Sequence, residues 1–222
     1  MRHIRLTPVL LLLACGDGGT TPTTPPTTPT PVATSITLSA ASLSFTSLGE
    51  TKQLSATVKD QNGSAMTGAS VSWSTSDASV ATVSSAGLVT AAANGTATIT
   101  GTSGSASSTA SATVAQVAAS IELIQTELTF TSLGETKQLD FTVKDANNHV
   151  ISDAVVTWSS SDNTVATISS NGLVTAIALG TATITGTSGS VSGTVTITVE
   201  DEATTLPDTE IDSGPATGST QR

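Results

Sequence analysis

Reactive side chains are scarce in this chain. Cys15 is the only thiol in 222 residues, and the histidines are His3 and His149. Nucleophilic catalysis needs a base beside the nucleophile and a third group to orient that base. His149 ends the turn-like run Asn147-Asn148-His149, and the matching position 85 residues earlier is Ser64. A lone turn histidine with no recurring Ser/His/Asp set reads as solvated surface. No catalytic residue and no enzyme are expected. Asp60-Gln61-Asn62-Gly63 and Asp145-Ala146-Asn147-Asn148 resemble the start of a calcium loop but lack its further oxygen ligands and closing glutamate. Aspartate and asparagine also build turns by bonding their own backbone. Turn chemistry is the reading taken, with weak calcium binding the alternative; no metal and no cofactor are expected. Trp73 and Trp158 could stack on a sugar. They occupy the same repeat position, however, two residues after Val71 and Val156 and at inward parity. Both are read as core tryptophans on a central strand. Phe45, Phe130 and Phe141 are the only other aromatics, so carbohydrate recognition is not expected.

Composition narrows the partners. Only 11% of residues are charged, and the formal net charge is −10. Phosphate backbones and anionic headgroups both require a Lys/Arg surface that this chain lacks. Neither a nucleic acid nor a small-molecule substrate is expected.

The thiol has a different context. Met1-Arg2-His3-Ile4-Arg5 is a short basic head, and residues 6–14 are mostly apolar. Such a run is far shorter than the roughly 20 residues a spanning helix needs, and it suits an export signal. Leu12-Leu13-Ala14-Cys15 resembles the lipobox of bacterial lipoproteins. The resemblance implies removal of residues 1–14, acylation of Cys15, and a membrane partner reached through that lipid. Loss of Arg2 and Arg5 would take the net charge from −10 to −12. Gly16 and Asp17 follow the cysteine and, by the same resemblance, do not demand inner-membrane retention. The expected location is the bacterial envelope, at the outer membrane and cell surface. Residues 15–31 hold the lipidated cysteine and a Thr/Pro-rich linker. Proline fixes φ and removes donors, so this stretch is expected to be an extended stalk of roughly 50 Å at about 3.1 Å per residue.

A duplication follows. Val32 aligns with Val117 and Val114 with Val199 without a gap, and about two-thirds of the aligned positions are identical. Thr46-Ser47-Leu48-Gly49-Glu50-Thr51-Lys52-Gln53-Leu54 returns letter for letter as Thr131 to Leu139. The period is too long for a solenoid unit and fits a tandem of complete small domains, 32–114 and 117–199. Within each copy the apolar residues alternate: Leu54/Ala56/Val58, Val71/Trp73, Ala97/Ile99, Ala110/Ala112/Val114. Turn residues bound each run. About seven short strands of this kind predict an all-β fold, a two-sheet antiparallel β-sandwich per copy. Only Ala115 and Gln116 separate the copies, so a stiff junction is expected. Glu50/Lys52 and Glu135/Lys137 read as solvated strand-edge charges. Ala56, Ala106, Ala110 and Ala112 become Phe141, Val191, Val195 and Ile197 at inward parity, which predicts a more stable second copy. Residues 200–222, rich in Asp and Glu without apolar periodicity, are expected to be a disordered acidic tail.

The order of these words resembles the group 2 bacterial immunoglobulin-like domain: Gly-Glu-x-x-x-Leu, Trp-Ser-x-Ser-Asp, Val-Ala-Thr-Val/Ile, Gly-Leu-Val-Thr-Ala and Gly-Thr-Ala-Thr-Ile-Thr. The resemblance covers 32–114 and 117–199. It implies two tandem Ig-like antiparallel β-sandwiches, as in surface proteins of the intimin and invasin type. The function it implies is a non-catalytic, lipid-anchored adhesion or protein-interaction module, with a surface protein or a ligand on a host or neighbouring cell as partner. A passive spacer or envelope-structural lipoprotein without a dedicated ligand is the alternative.

Overall fold

A computed structural model describes residues 29–201, which are strands and loops with no helix. Cys15, the export leader, most of the linker and the tail beyond Asp201 lie outside the described residues. The first module holds β1 (Ala33–Leu38), β2 (Ser42–Phe45), β3 (Thr51–Gln53), β4 (Ala56–Asp60), β5 (Ser72–Thr75), β6 (Ala81–Val83), β7 (Leu88–Ala91), β8 (Gly95–Ser103) and β9 (Ala106–Val114). The second repeats them as β10 (Ser120–Leu123), β11 (Glu127–Phe130), β12 (Thr136–Gln138), β13 (Phe141–Lys144), β14 (Thr157–Ser160), β15 (Ala166–Ile168), β16 (Leu173–Ala176), β17 (Gly180–Ser188) and β18 (Val191–Val199).

The alternation of small apolar and hydroxyl residues makes these segments strands, because successive side chains point to opposite faces. In β8 and β9 the inward set is Ala97, Ile99, Ala110, Ala112 and Val114, and all five are buried. The outward set pairs hydroxyl with hydroxyl across the hairpin: Thr96 with Thr113, Thr98 with Ser111, Thr100 with Thr109. A four-stranded sheet, β2-β9-β8-β5, lies across a three-stranded sheet, β3-β7-β6, and a ribbon of β1 and β4. The second module has the same arrangement: β11-β18-β17-β14, β12-β16-β15 and β10-β13. One core cluster runs from Leu43 to Val114 and another from Phe130 to Val199. No cluster among the described residues mixes the two modules.

Four features depart from the expectations. Each module has nine strands, because short edge pieces too brief to show alternation also pair. The sandwich is not purely antiparallel: β2 runs parallel to β9, and β11 to β18. Trp73 and Trp158 lie on β5 and β14, which are edge strands of their sheets. Both are half-buried, packed against the core from its side. Each faces a glycine: a Cβ on Gly101 would lie 3.2 Å from the Trp73 ring, and one on Gly186 would lie 2.6 Å from the Trp158 ring. The indole thus closes the open flank between the sheets. Finally, Phe141 and Val191 do not join the second core. Phe141 is 37% exposed and meets Trp158 edge-on at 5.5 Å, whereas Val195 and Ile197 are fully buried.

Candidate functional site: the junction between the modules

The turn Thr46–Glu50 is built by its own carboxylate. Glu50 accepts the Thr46 N–H at 2.8 Å. That bond, opposed by partial burial and joined by Lys52 at 3.3 Å, holds the Glu50 carboxyl below the usual glutamate range. Lys52 donates to the Ser44 carbonyl and lies 5.3 Å above the buried Phe45 ring. Lys137 repeats this over Phe130 at 4.9 Å. These Glu/Lys pairs are therefore latches over a core aromatic, not merely solvated charges. The repeated Gly-Glu-x-Lys motif has a structural origin in this latch.

The latch presents Leu48 to the second module. Asp145 is only 2% exposed, and four donors meet its carboxylate. Oδ1 accepts the N–H of Asn147 at 2.9 Å and of His149 at 3.0 Å. Oδ2 accepts the Leu48 N–H at 2.8 Å and the Gln116 side-chain amide at 2.9 Å. Asn147 Nδ2 returns to the Leu48 carbonyl at 2.8 Å. Gln116 is in turn held by Asn94, whose Oδ1 accepts its backbone N–H at 2.8 Å and whose amide donates to its Oε1 at 3.2 Å. The Val117 N–H bonds the Thr46 carbonyl, and the Ala119 N–H the Lys144 carbonyl. One unbroken relay thus joins first module, linker and second module. Burial pushes the Asp145 carboxyl up, but the bonds from Gln116, Leu48, His149 and Asn147 outweigh it, so its pKa lies below the usual aspartate value. His149 Nδ1 sits 3.7 Å from Oδ1.

Both carboxylate-amide turns are turns in the structure. Asp60 Oδ1 accepts from Asn62 and Ser64, and Asn148 takes φ 64° where Gly63 has φ 77°. Among the described residues no group of His, Cys, Asp or Glu is placed to hold a metal ion. Nor are His149, Trp73 and Trp158 brought together. Sequence reasoning missed the reach of Asp145 into the other module. Its only advance sign was an amide, Gln116, in a two-residue linker beside a duplicated Asp-x-Asn turn.

Two β-sandwiches joined by a buried carboxylate define a tandem of immunoglobulin-like modules. The sequence profile described as "Bacterial Ig-like domain (group 2)" matches residues 32–114 and 118–199, and the chain belongs to that family. Ice-binding protein 1 of Shewanella frigidimarina (strain NCIMB 400) is 37% identical over 156 residues. The match covers 69% of this chain but 17% of that protein. Domains 1–6 of the surface layer protein SbsC are similar at 23% identity and a TM-score of 0.38, covering 77% of this chain and 28% of that one. The Escherichia coli adhesin FdeC is similar at 17% identity and a TM-score of 0.38, covering 74% and 63%.

Proposed function

We propose that this protein is a non-catalytic surface module, anchored by lipid on Cys15, whose Ig-like pair binds a protein partner outside the cell. The observation that carries the reading is the junction. A carboxylate with all its acceptor positions filled holds the second module in one orientation relative to the first. Fixed orientation favours binding, because less freedom is lost when a partner docks. The spacer reading keeps a specific observation of its own: the outer faces of β8–β9 and β17–β18 are neutral hydroxyl arrays without charged or aromatic anchors. This chain spans only 17% of the length of the ice-binding relative.

Two measurements test the anchor and the exposure. Cys15→Ser should move the protein from the membrane fraction to the soluble fraction. Protease added to intact cells should remove the unmutated protein. Protection from protease would place it facing the periplasm and rule out adhesion.

A further inference from the structure

The four-stranded sheet of the second module ends in two edges, β11 and β14, that differ in how they are guarded. β11 carries Glu127, and Lys137 donates to the carbonyl of Thr129. Edge charges of this kind discourage further pairing. β14 reads Thr157-Trp158-Ser159-Ser160, with no charge, no proline and an unbroken register against β17. The Ser161 N–H bonds the Thr183 carbonyl at 2.9 Å. By alternation the backbone groups of Thr157 and Ser159 also face β17, and those of Trp158 and Ser160 face outward. Among the described residues nothing bonds the N–H or carbonyl of Trp158 or Ser160. Beside this edge lies a slot of about 300 Å³, lined by Val156, Thr157, Trp158, Ile168, Ser169 and Ser170, none of them charged. The first module has the same edge in β5, but Ala56 and Val83 stand where the second has Phe141 and Ile168. Phe141 meets Trp158 edge-on, so the flank of β14 is the more apolar of the two.

We propose that β14 accepts an extended segment of a partner protein as a fifth strand of its sheet, with one apolar side chain of that segment seated in the slot. The inference rests on the interaction-module reading and names the partner's form. The outward N–H and carbonyl groups of Trp158 and Ser160 are matched only by another extended backbone, and such pairing supplies affinity while side-chain pockets supply selectivity. Residues opposite one another in a ladder share a face. The guest residue opposite Trp158 therefore points inward, toward Ile168, and must be apolar. Its neighbours point outward beside Thr157 and Ser159 and are best uncharged and polar. A second copy of this chain fits less well. Its edge strands already send their inward side chains into their own sandwich, as Trp158 does against Gly186, and none is left to fill the slot. A segment that is extended but not yet packed has its side chains free.

Hydrogen exchange of the Trp158 and Ser160 amides in the full chain, with and without peptides panned on it from a random linear library, provides the test. Both amides should exchange quickly in the free chain and at least about tenfold more slowly with a recovered peptide, as newly bonded amides do. Recovered peptides should alternate apolar with uncharged polar residues. Their affinity should fall about tenfold or more, as for a central contact, in Ser160→Pro, which removes an outward N–H that an edge strand can spare. Ser170→Arg, an exposed turn position that lines the slot, should weaken them as much with melting unchanged. Thr75→Pro, the same position in the first module, should not. Peptides that leave both amides unprotected and bind Ser160→Pro and Ser170→Arg undiminished would overturn this site while sparing the broader reading. No enrichment over an unrelated protein would overturn both and leave the spacer. Amides already slow in the free chain at every concentration would show the edge covered by the chain's own segments, and amides slowed only as concentration rises would make a second copy the occupant; either result overturns the partner assigned here.

Discussion

At the scale of single residues, Asp60 and Asp145 share a repeat position and differ in what they hold. Both use Oδ1 for their own turn, but only Asp145 uses Oδ2, for Leu48 and Gln116. Asparagine at 145 would turn an amide donor toward one pair of these donors. Asp145→Asn should therefore cost about 1–3 kcal/mol for each donor left without an acceptor, whereas Asp60→Asn should be close to neutral. Urea denaturation of both variants checks the contrast; equal losses would remove the junction from the account. Gly186→Ala would drive a methyl into the Trp158 ring at 2.6 Å, and Gly101→Ala meets Trp73 at 3.2 Å. Both should destabilise, by about 1–3 kcal/mol as overpacking does, with Gly186→Ala the worse in thermal melts. Inward parity in the sequence identified the tryptophans as facing the core. It could not place them at its flank, because parity reports the face of a strand and not the strand's position in the sheet.

At the scale of elements, the strand words were readable wherever alternation ran four residues or more. Three-residue strands such as Ala81–Val83 and Thr136–Gln138 are too short to show a period. The substitutions between copies were legible as larger side chains, but only two of the four fill the core. Val195 and Ile197 add about five buried carbons over Ala110 and Ala112, or roughly 4 kcal/mol gross at about 0.8 kcal/mol per CH₂. Against this, Ala33, Ile36, Val58 and Ala106 form a buried cluster in the first module, whereas of their counterparts Ala118, Ile121, Val143 and Val191 only Val143 is buried. The larger central side chains should still dominate. Hydrogen exchange on the whole chain should find β17–β18 amides more protected than those of β8–β9; the opposite order would show that the ribbon cluster decides.

At the scale of the whole molecule, the junction depends on pH through Asp145. Its folded pKa is depressed, so its contribution is present above the unfolded value, about 3.9, and is lost as pH falls through the folded value. Scattering at neutral and mildly acidic pH should therefore agree, and the relative freedom of the modules should rise only below the usual aspartate range. Asp145→Asn should show that freedom already at neutral pH. The tandem itself was fully legible, since duplication is a property of the letters. The coupling was not, because a bond across 97 residues leaves no local pattern.

The parallel pairing of β2 with β9, and of β11 with β18, has a mechanical consequence. Ser42–Phe45 lies beside Ser111–Val114 in register and in the same direction. Tension applied to the two chain ends would draw these neighbours in opposite directions along their length. Their mutual bonds would then be loaded in shear and break together, not one after another as in an opening zipper. Each module of a tether fixed at one end and tugged at the other would be guarded by a short strand, β2 or β11, clamped against the module's last strand, and single-molecule pulling should register high unfolding forces for both modules.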